Sequence, residues 1–164
     1  MKLNCRGIFV DRAAVQQEMA KLRRMQPPFE GGCLCGSIRY RCDESPFWSS
    51  NCYCQSCQKL GGGANTTAFT VRAKSFNLLS GELIRFARTA GSGNIVQTVR
   101  CKHCGTWVYS EREGKTEWIS ILASTLDNPE NFVPISNVYV SHAVPWAYMD
   151  SSLMNFNRMP EDEI

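Results

Sequence analysis

From residue 64 onward, apolar positions recur in short runs separated by turn-forming residues. Residues 65–72, 76–79, 82–89 and 95–101 are rich in β-branched and aromatic side chains. Runs of this length bounded by Gly, Ser and Asn predict strands rather than helices. Ser80-Gly81 reads as a tight connection, and residues 89–94 as a small polar loop. Residues 106–111, 118–123 and 135–141 give three more strands, with a turn or single helical turn over 127–131. Earlier in the chain, 33–42 reads as a strand whose period of two puts Cys33 and Cys35 on one face. Residues 47–52 run extended, and 54–59 must then turn tightly before Gly61, Gly62 and Gly63. A helical period appears only near the start. There Val15, Met19, Leu22 and Met25 follow a candidate N-cap, Asp11, and Pro27-Pro28 closes the run.

The pattern therefore predicts a mainly β body with one short N-terminal helix. That helix is read as appended to the domain or to a neighbouring subunit, because its apolar stripe is narrow and acidic residues interrupt it. At 164 residues with 43% hydrophobic and 20% charged content, one globular domain is expected. The divisions are a basic arm over 1–29, a domain over 30–148 and a tail over 149–164 that ends in acidic residues and is expected to fray.

Charge narrows the partners. The arm holds six basic and two acidic residues, and the remaining residues hold twelve basic and thirteen acidic ones. The body, at −1, has no electrostatic excess for phosphates, which argues against nucleic acid as its partner. No apolar stretch approaches the roughly 18 residues of a membrane span and no basic-then-apolar leader opens the chain, so a reducing cytoplasm is expected. The sequence leaves homo-oligomerisation open.

The chemistry lies in the cysteines. Nine is an odd number, and Cys-x-Cys neighbours are poorly placed to bridge one another, so metal ligation explains the spacing better than disulfides. Cys33 and Cys35 with Cys101 and Cys104 supply four thiols in two separated pairs, the number a closed tetrahedral zinc site takes. Cys52, Cys54 and Cys57 supply three thiols with no evident fourth ligand, which fits a catalytic zinc whose last position is open to water or substrate. Two alternatives stand beside that reading of the triplet: a second structural site completed from elsewhere, for instance by His142, or an empty cluster prone to oxidation. His103 sits inside the 101–104 knuckle and is read as exposed. Cys42 is read as a strand residue, and Cys5 as a thiol on the arm.

The order Gly31-Gly32-Cys33-Leu34-Cys35-Gly36, then Cys52-Tyr53-Cys54-Gln55-Ser56-Cys57-Gln58-Lys59 before glycines, then Cys101-Lys102-His103-Cys104-Gly105 and Pro145-Trp146, resembles the glutathione-dependent formaldehyde-activating enzyme family. The domain is shared with centromere protein V. The resemblance implies twisted, mainly antiparallel sheets packed as a zinc-stapled, sandwich-like beta-tent. It implies two zinc ions per chain, a structural one on Cys33, Cys35, Cys101 and Cys104 and a labile, catalytic one on Cys52, Cys54 and Cys57. The activity implied is a carbon–sulfur lyase reaction, the addition of a glutathione-like thiol to an aldehyde such as formaldehyde or the reverse cleavage. Tyr53 departs from the pattern, standing where many members have His, and a phenol of ordinary pKa about 10 does not inherit that residue's proton-transfer role. Lying between two ligands on extended chain, Tyr53 is expected to point away from a shared ion and to wall a pocket that favours partners with apolar bulk. Gly61 to Gly63 and Lys59 are the candidates to receive a glutathione carboxylate. The competing classes are a zinc-stabilised binding module that works through the basic arm, and a redox switch in which Cys54 and Cys57 cycle through a disulfide.

Overall fold

The computed structural model describes residues 25–160 together with Ala13 and Gln17. Cys5 and most of the expected N-terminal helix lie outside the described residues. Ala13 and Gln17, both helical and exposed, fall within that stretch.

Among the described residues eleven strands form two sheets. The small one pairs β1 (Phe29–Gly32), β2 (Arg39–Cys42) and β5 (Phe76–Ser80). The large one contains β3 (Trp48–Cys52), β4 (Thr66–Arg72), β6 (Leu83–Thr89), β7 (Ile95–Cys101), β8 (Trp107–Arg112), β9 (Lys115–Leu122), β10 (Ser136–Val138) and β11 (Met154–Phe156). Its order is β11-β10-β3-β4-β9-β8-β7-β6. Pairing is antiparallel except at β10, which runs parallel to both β3 and β11.

Alternation decides which face of the large sheet is buried. Phe69 and Val71 on β4 lie opposite Ile121 and Ile119 on β9, which lead on to Tyr109 and Val99. The small sheet covers this face with Tyr40 and Cys42, joined by Ile38. Phe29 meets Phe69 edge-on at 5.4 Å between ring centroids, and Phe76 meets Tyr109 at 5.0 Å. Phe69, Val71, Val99 and Ile121 have no exposed surface, and burial of each such side chain contributes roughly 1.5–3 kcal/mol. The outcome is the expected two-layer β architecture.

Three local expectations are corrected. The expected strand over 33–42 is strand only at Arg39–Cys42, and 33–38 is the turn of the β1–β2 hairpin: β1 ends at Gly32, and Gly36 closes the turn at φ 77, donating its N–H to the Cys33 carbonyl at 3.0 Å. Gly31 is in the strand because the backbone there runs against Tyr40 and Thr125, where an added Cβ would come within 2.3 Å of the Tyr40 hydroxyl. The tight turn over 54–59 is a helix, α1 (Gln55–Gly61). Cys54 is its N-cap, accepting from the Cys57 N–H, and Gly62 at φ 69 is its left-handed C-cap. The strand over 135–141 ends at Val138. Tyr139 then adopts a left-handed conformation at φ 57 and a 3-10 turn follows over Val140–His142.

The expected tail contributes a strand to the sheet at Met154–Phe156. Its β11 pairs with β10, and Phe156 packs with Trp48, Ile135 and Val138. The acidic end, 161–164, lies outside the described residues.

Candidate functional site

The first cysteine set assembles where the small sheet's hairpin turn meets the β7–β8 connection. Cys33 and Cys35 come from the turn, while Cys101 ends β7 and Cys104 lies three residues on. The four sulfurs lie within 4.8 Å of one another, with Cys33 Sγ 3.4 Å from Cys35 Sγ and Cys35 Sγ 3.9 Å from Cys101 Sγ. A tetrahedron with metal–sulfur bonds near 2.3 Å has edges of about 3.8 Å, so the spacing suits one thiophilic ion. Backbone N–H groups point at the sulfurs as a thiolate shell requires: Ile38 to Cys33 at 3.2 Å, His103 to Cys101 at 3.4 Å. Two hydroxyls absent from the sequence reading also lie at this site. Ser37 Oγ is 3.1 Å from Cys35 Sγ and 3.3 Å from Cys101 Sγ, and Thr106 Oγ1 is 3.1 Å from Cys104 Sγ. Burial pushes the Cys33 thiol up, but the Ile38 N–H and the Ser37 hydroxyl bring it down to about 7. The Thr106 hydroxyl and backbone lower Cys104 to about 5. His103 is exposed, as expected.

The second set forms where β3 runs into α1. Cys52 ends β3, Cys54 caps the helix and Cys57 lies in its first turn, their sulfurs again within 4.8 Å. Cys57 is buried against Trp107 and Leu122, and Cys52 and Cys54 are half-buried. Among the described residues no histidine or carboxylate joins the three. His142 is exposed; its carbonyl accepts from Gln58 Nε2 at 2.9 Å and its ring lies 5.8 Å from that of Tyr139, but it does not join the three sulfurs.

Electrostatics single out Cys54. The Cys52 and Cys57 thiols donate toward its sulfur and pull it down to about 2, assisted by the Cys57 N–H at 3.4 Å and by the charge of Arg88. Cys52 moves upward for the complementary reason. The Cys52 thiol pulls Cys57 down, yet Cys54 and burial outweigh it and leave it at about 11. The three thiols thus share their charge unevenly, with Cys54 favoured as thiolate and Cys52 disfavoured, and an ion held by all three would displace the remaining protons.

Tyr53 is fully buried. Its hydroxyl donates to the Tyr148 carbonyl at 3.0 Å, away from the thiols, so it props the 143–150 segment instead of walling a pocket. Gly61 to Gly63 do not form a cradle for a carboxylate. The N–H groups of Gly62 and Gly63 both donate to the Gln58 carbonyl, at 2.9 and 3.3 Å, and Gly61 packs on Thr66. Lys59 is exposed on α1, and Cys42 is a buried strand residue whose thiol burial pushes up to about 12. Two residues without a sequence signal do lie near the triplet. Burial raises Tyr139, and so do the charges of Cys52, Cys54 and Cys57, which places its phenol beside them. Arg88 enters from the far end of β6.

Two comparisons with known proteins bear on the chain, and no curated protein matches it. A crystal structure of a Rhodobacter sphaeroides protein, from a structural genomics programme, is similar at 21% identity and a TM-score of 0.49, over 64% of this chain and 97% of that one. The family model described as glutathione-dependent formaldehyde-activating enzyme matches residues 28–142. That span takes in both cysteine sets and every strand but β11, so the chain belongs to the glutathione-dependent formaldehyde-activating enzyme family.

Proposed function

We propose that the chain catalyses addition of a glutathione-like thiol to an aldehyde, formaldehyde being the family's own, together with the reverse carbon–sulfur cleavage. The observation that carries this reading is the contrast between the two sets: four sulfurs close one shell, and three sulfurs leave the other open. The donors are all sulfur, near tetrahedral spacing in the set of four and within 4.8 Å of one another in the triplet, which fits zinc in both, with Cys33, Cys35, Cys101 and Cys104 as structural ligands and Cys52, Cys54 and Cys57 as ligands in the active site. A zinc ion bound by the triplet supplies Lewis acidity and stabilises thiolate at neutral pH.

The chain's own residues supply the rest. Addition forms a bond between the thiol sulfur and the aldehyde carbon, while the proton lost from sulfur ends on the carbonyl oxygen. Tyr139, next after Val138 that pairs with Cys52, is kept protonated by burial and by the thiolate charges and is the residue proposed to donate to that oxygen; its left-handed backbone is the kind of local strain found at working sites. Trp107 and Leu122 exclude water behind Cys57. All eight described cysteines are free, which accords with a reducing, cytoplasmic setting. Among the described residues no helix is long and apolar enough to cross a membrane.

The test is native mass spectrometry with and without glutathione, combined with NMR detection of the hydroxymethyl thioether formed from glutathione and formaldehyde. Two ions per chain and accelerated adduct formation that Cys54→Ala abolishes are expected. A folded, fully metallated protein that leaves the solution rate unchanged for every thiol tried would overturn the reading.

A further inference from the structure

The side-chain nitrogen and oxygen atoms that are buried and lack a hydrogen-bond partner in the described structure are Nε and Nη1 of Arg88, Oγ1 of Thr98 and Nε1 of Trp48. Strand register places all of them on one face of the large sheet. Trp48 lies opposite Thr70, then Ser120, Ser110 and Thr98 across successive strands, and Arg88 lies opposite Val96, two residues from Thr98. Cys52 lies opposite Thr66 on this same face, and Leu122, which backs Cys57, is there too. The sheet thus turns its unsatisfied polar atoms toward the side that holds the open cysteine triplet.

Nε and Nη1 of the half-buried Arg88 are themselves buried and have no hydrogen-bond partner on the protein, which is costly, and native structures satisfy such groups. The cost here is focused at the right place. The β6–β7 hairpin brings Gly91 against Tyr139, where an added Cβ would lie 3.7 Å from Cε1, and Tyr139 in turn lies beside the triplet. Neither orphan nitrogen of Arg88 reaches a cysteine sulfur, so the triplet itself does not satisfy them. Arg112 stands on the same face, opposite Val96, two strand spacings or roughly 10 Å from Arg88. Of the other cations on this face, the exposed Arg72 lies six residues along β4 from Thr66, the partner of Cys52, and Arg100 donates to the Gly105 and Leu60 carbonyls; Arg88 and Arg112 are the pair that suits an anion brought there by a ligand, and Arg is the side chain best fitted to hold a carboxylate.

We propose that Arg88 anchors a carboxylate of the thiol substrate, so that the site selects carboxylate-bearing thiols of the glutathione type over neutral ones. This deepens the thiol-addition reading and rests on it for the identity of the ligand. It moves the anion-receiving role from the Gly61 to Gly63 segment, whose N–H groups are taken by the helix end, to the sheet.

The experiment separates anchoring from chemistry. S-methylglutathione keeps both carboxylates and has no free thiol, so its binding needs neither turnover nor a metal–thiolate bond. Its Kd is measured by calorimetry for the parent, Arg88→Gln and Arg88→Lys. Loss of charge-assisted hydrogen bonds should weaken binding roughly 10- to 100-fold in Arg88→Gln and less in Arg88→Lys, which retains the charge and reports even where the glutamine variant does not fold. The ratio of kcat/KM for glutathione to that for 2-mercaptoethanol should fall by a similar factor. A Kd unchanged within about twofold, or a parent that does not bind S-methylglutathione, overturns the anchor. So does an equal loss of turnover for both thiols, which would make Arg88 a counter-charge of the metal site. Failure of the parent to form any thiol–aldehyde adduct sinks the enzymatic reading instead, and the calorimetric result still decides Arg88.

Discussion

Replacing Cys104 with alanine should remove the staple that ties the small sheet's hairpin to the β7–β8 knuckle. Cys35 and Cys101, whose sulfurs are 3.9 Å apart, are separated by 66 residues, so an ion shared by them closes a loop of that length. In the chain-entropy model of cross-links, closure of such a loop is worth about 4 kcal/mol. A domain of this kind has only about 5–15 kcal/mol in total, so the loss is a large fraction of its stability. With a urea m-value near 2 kcal/mol/M, the midpoint should fall by about 2 M. Urea unfolding of parent and variant, each with and without a strong chelator, provides the assay. The chelator should move the parent down to the variant's midpoint and leave the variant where it is. Cys42→Ala is the control: it empties a buried position and destabilises, yet it must keep the parent's sensitivity to chelator. Should Cys104→Ala and the parent unfold together, with the chelator moving neither, the four sulfurs are not a staple and the reasoning is refuted.

Graded chelation followed by native mass spectrometry should remove the ion on Cys52, Cys54 and Cys57 before the other, because three protein ligands leave a position open to competition; joint loss, or a single ion throughout, counts against unequal sites. Tyr53→Phe deletes a buried hydrogen bond to the Tyr148 carbonyl and should cost about 1–2 kcal/mol, with faster amide exchange over 144–150; unchanged exchange there would show that Tyr53 is not the prop. The Arg39 guanidinium beside Asp127 lowers that carboxyl, so its contribution is present above the unfolded value near 3.8 and is lost as pH falls through the lower folded value. The pair is partly exposed, so Asp127→Asn should cost under about 1 kcal/mol at neutral pH and flatten stability only below about pH 4, as urea midpoints across pH will show.

The strands from 66 to 122 were legible because each must put one row of apolar residues on the covered face, and a period of two records that directly: Phe69 and Val71, Val99, Ile119 and Ile121 are such positions. The grouping of seven cysteines into sets of four and three was legible for a similar reason, since cysteines two or three residues apart keep their sulfurs close whatever the fold between the pairs. The hairpin at 33–38 was not, because the glycines before Cys33 look like an opening loop until Gly31 is seen against Tyr40. Helix α1 has seven residues, too few for a helical period to register, and its Cys54 cap is an unusual one. Strand β11 is three residues that pair with β10 only after the chain returns. Arg88 and Tyr139 carry no local signal. Each is brought near the triplet by contacts distant in sequence, the first by the β6–β7 hairpin and the second by the parallel pairing of β10 with β3.

One side chain, Arg100, bridges the two cysteine sets. Arg100, on β7 just before Cys101, donates through Nη1 to the Gly105 carbonyl of the knuckle at 2.9 Å and through Nη2 to the Leu60 carbonyl of α1 at 3.0 Å. Its guanidinium lies 5.6 Å from the centre of the Trp107 ring, and Trp107 packs on Cys57. One planar cation therefore fixes the turn that carries Cys104 relative to the helix that carries Cys57. Lysine, with one ammonium and no planar fork, cannot hold both carbonyls and the ring in that geometry. Arg100 thus couples the two cysteine sets through the protein itself, independently of any ion: replacing it with Lys should loosen α1 against the knuckle, read as faster amide exchange over 55–61, and unchanged exchange there would refute the coupling.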